Sequence, residues 1–155
     1  MCMIDDIKYY KGNIKPEDNV IFVFGSNPEG RHGKGAALTA RLHFGAIYGQ
    51  ARGIQGNSYA IVTKELRNNY PAITIDNIYD EILKLYEYAK CHKEKKFCIE
   101  YRTLENKKSL CGYTGYELLQ LFLKPSCIPS NIYFSEEWYK IFLTRYCKEF
   151  QTVLF

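Results

Sequence analysis

Hydrophobic residues along this chain fall into short apolar runs that alternate with stretches of helical periodicity. Residues 20–24 are apolar at every position and rich in β-branched side chains. Such a run predicts a strand buried on both faces, which is typical of parallel sheets covered by helices. Further strands are predicted at residues 58–63, 97–99 and 131–134.

Helices are predicted between and after these strands. Apolar side chains recur at helical spacing at Ile78, Ile82, Leu85, Tyr86 and Ala89. This spacing predicts an amphipathic helix, with Asp76 as its N-cap. Further helices are predicted at residues 34–44 and 115–123, and from Ser135 onward, where Ser135 is the expected cap. Strands alternating with helices predict an α/β fold with a largely parallel sheet.

The size and composition of the chain favour one ordinary globular domain spanning residues 1–155. Hydrophobic residues make up 46% and charged residues 25% of the sequence, which excludes a disordered chain. No apolar run is long enough to predict a membrane span. The apolar tail at residues 152–155 is left without an assigned element.

Cysteine usage points to a reducing compartment. The six cysteines show neither a CxxC motif nor the Cys/His spacing of a zinc site, and no signal peptide is predicted at the start of the sequence. We therefore expect free thiols, a cytoplasmic location, and neither a metal nor a cofactor.

The net charge of +4 is a mild basic bias, compatible with a phosphate-bearing ligand. Basic residues are scattered, apart from Lys93, Lys95 and Lys96, which are better explained as a solvated turn. Nucleic-acid binding through tyrosines and lysines is therefore the least favoured hypothesis, because it needs a denser basic surface.

Glycine is concentrated where the first buried strand gives way to a helix. Eight of the 11 glycines fall within residues 25–56. Glycine permits positive φ angles and close approach of a ligand to the backbone, and a helix N-terminus offers free N–H groups to an anion. Residues 30–35 match neither the Walker A spacing nor GxGxxG, which argues against a kinase-type or dinucleotide loop.

The glycine-rich segment and its surroundings resemble the macrodomain superfamily. The resemblance rests on residues 7–14, 20–27, 30–37, 44–46 and 55–64, with weaker similarity at 111–115 and 131–138. It is strongest toward a phage and bacterial branch, some members of which are described as ADP-ribose-1''-phosphate phosphatases. The resemblance implies a three-layer α/β/α fold with a mostly parallel mixed sheet, and a site for ADP-ribose or an ADP-ribosylated protein.

The resemblance also assigns roles to individual residues. The implied ligand-binding residues are Asn13, Gly25, Ser26, Asn27, Arg31, Gly33, Lys34, Gly35, Ala36, Ala37, Gly112, Tyr113 and Thr114. Asn13 would accept from the adenine amine, Asn27 would bind the distal ribose or orient water, and the 33–37 backbone would hold the diphosphate. The implied catalytic residues are Asn27, His32 as a general acid or base, and Lys64 as a nucleophile.

Each of these roles has a structural alternative. Asn13 is equally well explained as a turn residue and His32 as a loop hydrogen-bonding group. For Asn27 the ligand role is favoured, and a loop-forming side chain is the alternative. Lys64 is better explained as a solvated strand-end lysine, because a nucleophilic lysine needs a lowered pKa and the sequence has no aspartate near Cys111 to assist it.

The second phosphate loop of the resembled family is altered in this chain. Residues 100–111 contain no glycine, so close backbone approach is disfavoured there. Side chains such as Arg102, Lys107 or Lys108 would then replace backbone contacts. The leading hypothesis is a protein that binds ADP-ribose or a relative, with hydrolysis of ADP-ribose 1''-phosphate or protein-linked ADP-ribose as a further expectation. The alternative is a non-catalytic module that sequesters a nucleotide or binds a partner.

Overall fold

The strand predicted at residues 20–24 lies near the middle of a six-stranded sheet. The computed structural model describes the backbone of residues 7–147 and the side chains of residues 7–145. The strands are β1 (Lys8–Tyr10), β2 (Val20–Ser26), β3 (Gly53–Gln55), β4 (Ser58–Val62), β5 (Lys96–Ile99) and β6 (Ile132–Ser135). Their order across the sheet is β1-β6-β5-β2-β4-β3. All neighbouring pairs are parallel except β3 and β4.

Helices cover both faces of this sheet, as the α/β pattern predicted. They are α1 (Gly35–His43), α2 (Ile75–Lys90), α3 (Gly115–Leu123) and α4 (Glu136–Phe142), and α4 continues into a π-helical turn at Leu143–Cys147. One core cluster joins the sheet to α2, α3 and α4. A smaller cluster joins the opposite face to α1. The fold is thus α/β, with a mostly parallel mixed sheet between two helical layers.

The predicted helix caps are partly confirmed. Ser135 caps α4, since its side chain accepts from the Trp138 N–H. The predicted cap of α2 is wrong: Thr74 is the N-cap and accepts from the Asn77 N–H at 3.1 Å. Asp76 lies within the first turn instead. There its negative charge interacts favourably with the positive end of the helix dipole, without a capping hydrogen bond.

Sequence reasoning missed β3, because it is only three residues long and begins at Gly53, which has φ of 80°. Three residues are too few to show an alternating pattern. The prediction that left residues 152–155 unassigned falls outside the described residues. Among the residues that are described, no helix is long and apolar enough to cross a membrane.

Candidate functional site

A cleft of about 950 Å³ opens where the parallel strands β2, β4 and β5 end. In open α/β sheets, the carboxyl ends of strands are the usual place for a ligand. The cleft is lined by residues from four stretches, 25–37, 63–66, 100–103 and 108–111, together with Tyr48. The segment after β5 therefore forms one wall of the cleft and does not fill it.

The charges around the cleft are mostly positive. Its lining includes five basic residues, which are Arg31, Lys34, Lys64, Arg102 and Lys108. Within the described side chains, neither Lys34, Lys64 nor Lys108 has a salt-bridge partner. Their charges are therefore available to an anionic ligand.

Helix α1 begins at this cleft without a side-chain cap. Its N-cap is Lys34, whose side chain makes no capping hydrogen bond. The helices α2, α3 and α4 are all capped by a Thr or Ser side chain. The first N–H groups of a helix have no partner within the helix, and here Gly35, Ala36 and Ala37 also line the cleft. An anion in the cleft would satisfy these groups and would meet the positive end of the helix dipole.

Only part of the glycine cluster faces this open space. A Cβ on Gly33 would meet no atom within 4 Å, and Gly33 lines the cleft. A Cβ on Gly30 would instead lie 2.6 Å from the Gly49 carbonyl carbon, and Gly30 has φ of 67°. Gly30 is therefore required by loop packing, whereas Gly33 leaves room beside a ligand.

Gly25 lies in the cleft lining, but its lack of a side chain accommodates a tyrosine. A Cβ there would collide with the Tyr101 hydroxyl and lie 2.8 Å from Thr63 Oγ1. These two side chains share a hydrogen bond of 3.0 Å across the end of β2. Burial raises the pKa of Tyr101, so its hydroxyl stays protonated. The absence of a side chain at Gly25 is therefore explained by the packing of Tyr101 and Thr63, without a ligand.

Asn27 lines the cleft, but its amide closes the loop that follows β2. Its Nδ2 donates to the Arg31 carbonyl and its Oδ1 accepts from the Arg31 N–H, both at 2.9 Å. The loop-forming alternative is therefore realised in the structure. One amide hydrogen and one oxygen lone pair remain, which leaves capacity for a single further contact at each atom.

His32 lies away from the cleft. It is 0% exposed, and its Nε2 is 2.9 Å from the Gln50 carbonyl oxygen and 3.2 Å from Gln55 Oε1. Its ring meets Phe24 edge-on at 5.1 Å between centroids. A general acid or base must reach the substrate, so this position corrects the expected catalytic role of His32 to an anchoring role in the loop.

Four further residues that the resemblance implied are absent from the cleft lining. Asn13 is exposed in the turn after β1. Gly112 sits in a turn with φ of 90°, and the Tyr113 hydroxyl donates to the Ile73 carbonyl at 2.6 Å. Thr114 caps α3, with Glu117 completing the capping box. The structure therefore does not bring these four residues into the cleft, and ligand contacts there stay a prediction from the resemblance.

The remaining predicted residues do come together. The lining contains Gly25, Ser26, Asn27, Arg31, Gly33, Lys34, Gly35, Ala36, Ala37 and Lys64. Two residues that the sequence analysis did not single out, Glu100 and Tyr101, also line it. Their position directly after the apolar strand at residues 97–99 was the signal, because side chains at the ends of neighbouring parallel strands meet at one edge of a sheet.

Comparisons with protein-family models, with curated proteins and with solved structures found no significant match to this chain. The macrodomain resemblance therefore stays a prediction from the sequence. Among the described residues, no group of three or more His, Cys, Asp or Glu side chains could hold a metal ion.

Proposed function

We propose that this protein binds ADP-ribose, or a closely related nucleotide diphosphate, in the cleft at the ends of β2, β4 and β5. The observation that carries the proposal is the uncapped N-terminus of α1, which opens onto a cleft with five basic side chains in its lining. Backbone N–H groups and unpaired cations are the devices by which proteins hold phosphate.

The arrangement supports a ligand with two phosphates and flanking sugars. The diphosphate would lie at the start of α1, against the N–H groups of Gly35 and Ala36 and near the Lys34 side chain. Lys64 and Lys108 would meet the remaining negative charge from the other walls. A cleft of about 950 Å³ is at the upper end of the usual range for small-molecule sites.

The mouth of the cleft suits a ligand that extends into solvent. Tyr48 is 56% and Leu110 is 80% exposed at this rim. The ligand could therefore be free ADP-ribose or an ADP-ribosylated protein. The proposed location is the cytoplasm, as expected from the cysteine usage.

Binding is a better supported function than turnover. Of the three residues proposed for catalysis, His32 is outside the cleft lining and the Asn27 amide closes its own loop. Lys64 is the remaining candidate, since it lines the cleft and has no salt bridge among the described side chains. Hydrolysis of ADP-ribose 1''-phosphate or of protein-linked ADP-ribose would depend on it. A non-catalytic sequestering module is the alternative outcome.

Calorimetry with ADP-ribose tests the proposal directly. We expect saturable binding that weakens as salt rises, and a loss of roughly three- to tenfold in affinity for Lys34→Gln or Lys108→Gln, since each removes a charge-assisted contact. Lys84→Gln is the matched control, because Lys84 is exposed on α2 and lies outside the cleft lining. Absence of binding at millimolar ADP-ribose would overturn the proposal.

Turnover is tested separately by phosphate release from ADP-ribose 1''-phosphate and by release of ADP-ribose from a modified protein. Activity that disappears in Lys64→Ala, while ADP-ribose binding persists, would establish the enzyme. Binding without release in either assay would establish the sequestering module.

A further inference from the structure

Among the described residues, Glu100 is the single acidic residue in the cleft lining, and it directly follows β5. Its N–H donates to the Val23 carbonyl at 2.9 Å, so the chain is still extended there. Phe97 and Ile99 face the core on the side of α2, and side chains alternate along a strand. The Glu100 side chain therefore projects to the other face, the side covered by α1.

Glu100 lies near Arg102, whose guanidinium contacts other groups of the protein. The Arg102 guanidinium donates to the Gly12 carbonyl, is 3.7 Å from a Glu137 carboxylate oxygen and lies 5.5 Å from the centre of the Tyr10 ring. These contacts tie the end of β1 to the start of the segment after β5. Arg102 also lines the cleft, so these contacts hold a part of its wall in place.

The Glu100 carboxylate itself has no hydrogen bond or salt bridge within the described side chains. Burial raises its pKa, while the Arg102 charge acts in the opposite direction. Among the described residues, neither Glu100 oxygen is a buried polar atom lacking a partner, so the carboxylate is open to the cleft and is available to donor groups of a ligand.

The chemistry of a carboxylate defines what it accepts. It accepts hydrogen bonds from hydroxyl and amino groups and repels phosphate. The donors of a nucleotide diphosphate sugar are its ribose hydroxyls and its exocyclic amine. Asn13, expected to accept from adenine, lies outside the lining, whereas Glu100 offers an acceptor inside it.

We infer that Glu100 is a specificity-determining residue of the cleft: it accepts hydrogen bonds from the donor groups of the ligand and keeps phosphate at the α1 end. The inference rests on the proposed function and adds the orientation of the ligand. The phosphates lie at α1, and either the exocyclic amine or the distal ribose hydroxyls lie at the end of β5.

The test is calorimetry on the full chain with Glu100→Gln and Glu100→Ala, using four ligands. These are ADP-ribose, its inosine analogue (a carbonyl in place of the exocyclic amine), ADP (no distal ribose) and pyrophosphate (phosphates alone). We expect Glu100→Ala to weaken ADP-ribose binding roughly tenfold or more and Glu100→Gln to weaken it less, since the amide oxygen still accepts. Pyrophosphate should bind both variants at least as well as the wild type.

The analogues distinguish the two donors. If the amine is the donor, the inosine analogue binds the wild type weakly and loses nothing further in Glu100→Ala. If the distal ribose is the donor, ADP binds the wild type weakly and loses nothing further in Glu100→Ala. Either pattern supports the inference.

Two outcomes would overturn the role of Glu100 alone: ADP-ribose binding that is unchanged in Glu100→Ala, or pyrophosphate binding that falls as much as ADP-ribose binding. An equal fall in pyrophosphate and ADP-ribose binding would indicate a general structural effect of the substitution. Thermal unfolding of the near-isosteric Glu100→Gln variant checks for such an effect independently. A wild-type protein that binds pyrophosphate but not ADP-ribose, or binds neither, would overturn both this role and the proposed function.

Discussion

The two walls of the cleft differ in the part of the chain that they present. The first wall, residues 25–37, consists mostly of glycine, serine and alanine around the free N–H groups of α1, and adds the side chains of Asn27, Arg31 and Lys34. The second wall, residues 100–111, presents side chains, among them Glu100, Tyr101 and Lys108. In the proposed function, the first wall would hold anions by backbone donors and the second wall would select the ligand by side-chain chemistry.

The anchoring of the two walls differs in the same way. Gly30 on the first wall packs its backbone against the backbone of Gly49 and Gln50. On the second wall, the Tyr101 ring stacks on Trp138 at 5.6 Å between centroids, and the Trp138 indole N–H donates to the Thr103 carbonyl at 2.9 Å. The start of the second wall is therefore held by aromatic packing and a side-chain hydrogen bond from Trp138. The following predictions test this contrast.

The largest effect is expected within the first wall, from Gly30→Ala. The added methyl group would meet the Gly49–Gln50 backbone, and φ of 67° is strained for alanine, so we expect a loss of about 3 kcal/mol in the free energy of unfolding. Gly33→Ala is the control in the same loop and should change stability by less than about 0.5 kcal/mol. Urea denaturation measures both, and equal losses would contradict the division of the glycines into packing and cleft positions.

A second prediction concerns the contact between the walls, where Gly25 lies beneath Tyr101. Gly25→Ala should cost about 2 kcal/mol, because the new Cβ collides with the tyrosine hydroxyl. Tyr101→Phe removes that hydroxyl together with its hydrogen bond to Thr63, at a cost of about 1 kcal/mol. The double variant should then be less destabilised than the sum of the single changes. Strictly additive losses would show that the two residues are not coupled.

A smaller effect is expected at Thr114, just beyond the second wall. Thr114→Ala removes the capping box of α3 and should cost about 1 kcal/mol of stability. Thr74→Ala, which removes the cap of α2, should cost a similar amount. Neither change should alter the affinity for ADP-ribose, measured by calorimetry. A specific loss of affinity in Thr114→Ala would restore the ligand role that the resemblance implied.

The smallest effect is a pH dependence that belongs to the second wall alone. Burial raises the pKa of Glu100, so the folded chain holds this proton more tightly than the unfolded chain, whose value is about 4.3. The carboxyl therefore lowers stability as the pH rises from about 4 through the raised pKa of the folded state. Glu100→Gln should be more stable than the wild type at pH 8, with the difference shrinking toward pH 4. A difference that stays constant across urea titrations at these pH values would contradict the assigned cause.

Local pattern was sufficient for most of the fold. The structure confirms the strand predicted at residues 20–24, the helix predicted from the spacing of Ile78 to Ala89, and the cap at Ser135. These predictions succeeded because strand and helix formation depend on near neighbours in the chain. The location of the cleft also followed from sequence, since a buried parallel strand running into a glycine-rich helix start directs attention to the carboxyl edge of the sheet.

The role of each side chain at that edge depended on contacts between distant parts of the chain. Local sequence cannot show that His32 is buried against Gln55, that Gly25 makes room for Tyr101, or that Thr114 is engaged as a cap. The sequence by itself determined the α/β class and the position of a cleft beside the glycine-rich segment. Only the tertiary structure decided which residues face the cleft and which support it, because burial and hydrogen-bond partners are set by strands and loops that meet in space without being neighbours in sequence.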